Sequence, residues 1–148
     1  MIGTIPVVLL LEDERPGQAL VRALRQRGIN RLPGGESLAG QVVRGADLLR
    51  AVERLQGTVD GVILDYHVAG VLTGVDVAAH LRTTWPDMII VLLTGALASA
   101  RQHARYRPDL FDAELAKPQL PDHVADAVVA LLRERRGWDA PVPEGGRG

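Results

Sequence analysis

The feature that most constrains this chain is a set of short apolar runs, each closed by polar residues of a different kind. Val7–Leu11 is followed by Glu12 and Asp13, Gly61–Leu64 by Asp65, Met88–Leu93 by Thr94, and Ala113–Ala116 by Lys117. Stretches with helical spacing lie between them, and this alternation predicts a parallel sheet buried on both faces. In such a sheet every strand points its carboxyl end at the same edge, where ligands bind in the crevice. Carboxylates, a hydroxyl and an ammonium are therefore predicted to meet at one rim, although they are scattered between positions 12 and 117.

The intervening segments support this pattern. Pro16 suits a first helical turn, and Leu20, Val21, Leu24 and Arg27 follow at helical spacing up to Gly28. The second strand is expected within Ile29–Leu32 or Gln41–Val43, and the sequence does not choose between them. Asp47, Leu48, Leu49, Val52 and Leu55 give a helix ending at Gly57, and Val75–Thr84 gives another, stopped by Pro86. A short helix is expected over Ser99–Tyr106. Asp122, after Pro121, is expected to cap a last helix whose inward stripe is Val124, Ala127, Val128, Leu131 and Leu132. Arg133, Arg135 and Arg136 suit the carboxyl end of that helix. The expected organisation is one α/β domain over 1–136, a doubly wound sheet, with a flexible tail over 137–148.

Composition narrows the function. At 148 residues and 47% hydrophobic, the chain can bury roughly 68–70% of its unfolded surface as one domain. A net charge of −1 gives no electrostatic footprint for nucleic acid. The absence of cysteine excludes disulfides and thiolate metal sites and fits a reducing cytoplasm. The apolar runs fall well short of the ~20 residues a membrane helix needs. The amino terminus lacks the basic region of a signal peptide. The reading is a soluble, cytoplasmic protein without nucleic-acid or membrane partners.

Two carboxylates about 4 Å apart repel by on the order of 4 kcal/mol at an effective dielectric of about 20, so a converging acidic cluster calls for a cation. Hard oxygen ligands without a histidine or cysteine at metal spacing favour Mg²⁺ over zinc. An aspartate beside such an ion can attack a phosphoryl group, and aspartyl phosphate is a known class of covalent intermediate. Thr94 and Lys117 would supply donors to the transferred group's oxygens.

These residues stand in Val-Val-Leu-Leu-Leu-Glu-Asp-Glu at 7–14, Val-Ile-Leu-Asp-Tyr-His at 62–67, Gly-Val-Asp at 74–76, Val-Leu-Leu-Thr-Gly at 91–95 and Leu-Ala-Lys-Pro at 115–118. In this order the motifs resemble those of receiver domains of two-component response regulators, of the CheY-like, stand-alone kind, over about residues 5–136. The resemblance implies a flavodoxin-like, five-stranded parallel sheet in the order 2-1-3-4-5 with five helices. It implies Asp65 as phosphoacceptor, and Mg²⁺ held by Glu12 (through water), Asp13, Asp65 and the backbone carbonyl of His67. Thr94 would be the switch hydroxyl and Lys117 the partner of the phosphoryl group, with a cis peptide before Pro118. It also implies a histidine kinase or histidine phosphotransfer protein as donor, a downstream protein partner, a possible homodimer, and catalysis limited to the domain's own phosphorylation and dephosphorylation.

Three positions depart from the family pattern. Glu114 stands where an aromatic switch residue is usual, the segment between Gly28 and Asp65 is long, and Ala69 replaces a common proline. A receiver-fold binding module that acts without phosphorylation is the alternative reading. A haloacid-dehalogenase-like phosphatase fits poorly, because no Asp stands two positions after Glu12 and Asp65 is followed by Tyr66 and His67. The side chain of His67, together with His80, His103 and His123, reads as surface. Arg101, Arg105 and Arg107 read as a solvated face.

Overall fold

In the computed structural model, residues 6–12, 14–30, 41–42, 44–55, 58–68 and 70–140 are described. The strands are β1 (Val8–Leu11), β2 (Gln41–Val42), β3 (Gly61–Leu64), β4 (Ile89–Thr94) and β5 (Ala113–Ala116). All pair in parallel, in the order β2-β1-β3-β4-β5. The helices are α1 (Glu14–Gln26), α2 (Gly45–Leu55), α3 (Gly74–Thr84), α4 (Leu97–Arg101) and α5 (Pro121–Arg136), with a 3-10 turn at Pro108–Leu110.

Every residue of β1, β3 and β4 is buried, as the uninterrupted apolar runs demand. Alternate residues serve opposite faces. Leu9, Leu11, Val62, Leu64, Ile90 and Leu92 pack with Leu48 and Val52 of α2, with Val75, Ala78 and Leu81 of α3, and with Ala100 of α4. Val8, Leu10, Ile63, Ile89, Val91 and Leu93 pack with Leu20 and Leu24 of α1 and with Val124, Val128 and Leu132 of α5. Each fully buried leucine or isoleucine contributes about 1.5–3 kcal/mol, so the two faces together fix which way each strand points. Among the described residues no helix is long and apolar enough to cross a membrane.

The second strand falls at the later of its two expected positions, and among the described residues Gln41 and Val42 pair with Leu10 and Leu11. The earlier candidate contributes differently. Asn30, fully buried with φ 62°, turns its side-chain amide onto β1. Its Oδ1 accepts from the Val8 N–H at 2.8 Å and its Nδ2 donates to the Val8 carbonyl at 2.8 Å. One side chain thus takes the place of a rung of the backbone ladder at Val8, and residues 31–32 of that candidate lie outside the described residues.

Three expectations need correction. The fourth helix is Leu97–Arg101 rather than Ser99–Tyr106. After Arg101 the chain turns, with His103 Nδ1 accepting from the Arg105 N–H at 3.0 Å. Asp122 does not cap α5: Leu120 is the N-cap, Pro121 opens the helix, and Asp122 pairs with Arg27 at 3.1 Å. Trp138, placed in the tail by composition, is buried in the α1/α5 core behind Gly137, which closes α5 at φ 67°. Residues 141–148 lie outside the described residues.

Candidate phosphoryl site at the carboxyl edge

Strand register assembles the site. Leu11 pairs with Leu64, so Glu12 and Asp65 are the next residues on adjacent strands, and the Asp65 N–H donates to the Leu11 carbonyl at 3.0 Å. Thr94 pairs with Ala116, placing Lys117 just beyond, where its N–H donates to the Thr94 carbonyl at 3.0 Å. Four of the residues singled out by sequence therefore share one rim.

Glu12, Asp65 and Thr94 are all buried. Lys117 reaches across them: its Nζ lies 2.6 Å from Glu12 Oε2 and 2.9 Å from Asp65 Oδ2. Burial is the largest influence on this ammonium and works to lower its pKa. The hydrogen bonds the ammonium donates to Glu12 and Asp65, and then their charges, outweigh burial and hold the group above the usual lysine value. The Thr94 hydroxyl accepts from the Ala96 N–H at 3.1 Å, tying the end of β4 to the start of α4. The Lys117–Pro118 peptide is cis, as the motif implied.

The remaining expected metal ligands are placed less fully. Asp13 lies outside the described residues, and His67 is exposed beside the site. Among the described residues no group of three or more carboxylates and imidazoles converges. The donor set that is placed, Glu12 and Asp65, consists of hard oxygen ligands of the kind Mg²⁺ takes one or two of. On donor chemistry the residues fit that ion.

Two neighbours gain a role that the sequence reading did not give them. A Cβ on Gly74 would lie 2.1 Å from the Asp65 carbonyl oxygen, so the glycine lets α3 begin directly against the backbone of Asp65. The adjoining turn is held by a capping box, in which Thr73 Oγ1 accepts from the Asp76 N–H at 3.2 Å and Asp76 Oδ2 accepts from the Thr73 N–H at 2.9 Å. The other neighbour is His103, which is not a plain surface residue. Its Nε2 is 3.4 Å from Asp76 Oδ1, and its ring meets the edge of Tyr66, next to Asp65.

Glu114, which stands where the resemblance implied an aromatic switch residue, is clasped from two sides. Arg101 Nε donates to its Oε1 at 2.9 Å, and the Tyr106 hydroxyl donates to its Oε2 at 2.6 Å. The bond to Glu114 first, then burial, raises the Tyr106 phenol above its usual pKa. The sequence reading put Arg101 on a solvated face and gave neither it nor Tyr106 a bond to Glu114, because both reach that residue across an irregular segment that has no periodicity. On the opposite side, a cavity of about 500 Å³ between α1 and the start of α5, lined by Pro16, Leu20, Leu93 and Val124, opens onto Glu12 and Lys117.

No protein-family model matches the chain, and no curated protein matches it. Solved structures do match. A response regulator receiver protein from Sinorhizobium medicae has TM-score 0.70 at 23% identity, covering 90% of this chain and 98% of that one. A response regulator receiver domain protein from Clostridium thermocellum has TM-score 0.69 at 18% identity, covering 90% and 98%. The response regulator protein TrrA from Thermotoga maritima, in complex with Mg²⁺-BeF, has TM-score 0.67 at 22% identity, covering 87% and 100%. The chain has the fold of response regulator receiver domains.

Proposed function

We propose that this protein is a phosphorylatable receiver that accepts a phosphoryl group on Asp65 from a phosphohistidine of a kinase or phosphotransfer protein in the cytoplasm. The observation that carries this reading is Lys117 Nζ bridging Glu12 and Asp65 at 2.6 and 2.9 Å, on a rim shared with Thr94. A carboxylate oxygen of Asp65 attacks phosphorus. The P–N bond to the donor imidazole breaks, its electron pair returns to the ring nitrogen, and an acyl phosphate remains. Lys117 then pairs with the phosphoryl oxygens, and the Thr94 hydroxyl leaves the Ala96 N–H to hydrogen-bond one of them. Glu12, Asp13, Asp65 and the His67 carbonyl would hold Mg²⁺, whose charge offsets the repulsion between carboxylates and phosphoryl oxygens.

In this reading the protein acts on no substrate but itself, and its output is a change in the surface made by α4, β5 and α5, offered to a protein partner. Beryllofluoride, which mimics the acyl phosphate, tests it with Mg²⁺ present. Wild type is expected to bind one equivalent in a Mg²⁺-dependent manner and Asp65→Asn to bind none. An equal response from Asp65→Asn overturns the assignment.

A further inference from the structure

The connection from Thr94 outward can be followed atom by atom. The Thr94 hydroxyl holds the Ala96 N–H, Ala96 is the N-cap of α4, and Arg101 is the last residue of that five-residue helix. Arg101 is bonded to Glu114 of β5, and Glu114 to Tyr106, whose ring stacks on Phe111 at 6.1 Å. The Glu114 side chain is only 16% exposed, although it is a carboxylate on a strand. The contacts tethering α4 to the sheet are therefore hydrogen bonds and charge as well as apolar packing.

We infer that Glu114, bridging Arg101 and Tyr106, is a latch that holds α4 in its unphosphorylated position and thereby sets the affinity of Asp65 for a phosphoryl group. The inference rests on the proposed function and adds a regulator to it. A phosphoryl group that draws Thr94 away from Ala96 moves the loop on which α4 is mounted. Glu114 sits opposite Leu92 in the strand register, so a shift of α4 draws Arg101 away from it. Whatever weakens the latch destabilises the unphosphorylated arrangement and shifts the population toward the phosphorylated one.

The test uses the full chain as wild type, Glu114→Ala, Glu114→Gln and Tyr106→Phe, titrated with beryllofluoride and Mg²⁺ and read by fluorine NMR. Hydrogen exchange over residues 96–107 is measured alongside, with and without the analogue. In wild type, exchange there is expected to rise on saturation. Glu114→Ala is expected to exchange fast without the analogue and to bind it about three- to tenfold more tightly, the net scale of one intramolecular hydrogen bond. Glu114→Gln, which keeps an acceptor for Tyr106, and Tyr106→Phe are expected to fall between. If Glu114→Ala unfolds, the same ordering is read from the two milder variants.

Unchanged or weaker binding in the Glu114 variants, with normal Asp65-dependent binding in wild type, overturns the latch alone and marks the α4–β5 surface as fixed. Absence of Asp65-dependent binding in wild type removes the phosphoacceptor reading and the latch with it.

Discussion

The two ends of the sheet both carry buried charge, yet they are held differently. At the amino end, Asp112 Oδ2 accepts from the Ile90 N–H at 2.8 Å, and Asp112 also pairs with Arg82 and Arg135. Arg82 in turn donates to the carbonyls of Pro86, Met88 and Leu110 at 2.7–2.8 Å. Asp60 takes the Val7 N–H at 2.9 Å and faces Arg136. Backbone groups anchor these charges, so moving one would break the main-chain framework. At the carboxyl end, Lys117 meets Glu12 and Asp65 side chain to side chain. Such a bridge can exchange one partner for another while the strands stay put. The two ends thus differ in what their charges are tied to.

Breaking the amino end should produce the larger effect. Asp112→Ala leaves Arg82 without its acid and the Ile90 N–H without an acceptor. It is expected to cost about 3 kcal/mol, read as a lower urea midpoint, with beryllofluoride affinity of the folded fraction unchanged. A smaller, mixed effect is expected from Gly74→Ala, which forces a Cβ toward the Asp65 carbonyl. A loss of about 1–2 kcal/mol should come with weaker analogue binding, because the displaced backbone belongs to Asp65, the proposed phosphoacceptor. Stability lost without any loss of binding would show that α3 yields and Asp65 does not.

The smallest effect concerns Lys117 and pH. Its folded-state pKa is raised, so the stabilisation it contributes is complete below the unfolded lysine's pKa and lost as pH rises through the folded value. The stability difference between wild type and Lys117→Met is therefore expected to be constant through neutral pH and to narrow only in the alkaline range. Narrowing near neutrality would mean that the ammonium does not govern the pair.

Both ends were unequally legible in the sequence. The carboxyl rim could be read because each buried run stops at a chemically distinct residue, and Glu12, Asp65, Thr94 and Lys117 do meet. Asp13 could be named but falls outside the described residues. The amino-end network went unread, since Arg82, Asp112 and Arg135 are joined only by the way α3, β5 and α5 cross. The short α4 was misplaced because its five residues show too little periodicity and its position depends on tethers at Thr94 and Glu114. Trp138 was missed because a single aromatic beyond a helix-ending glycine leaves no pattern, although it fills the α1/α5 core.

Asn30 has a consequence for how this protein behaves in a crowded solution. Among the described residues β2 pairs only with Leu10 and Leu11, and an unpaired donor and acceptor at Val8 would be a template for a strand from another molecule. The amide of Asn30 occupies both groups of Val8. A foreign strand would have to displace a buried side chain before it could pair at Val8.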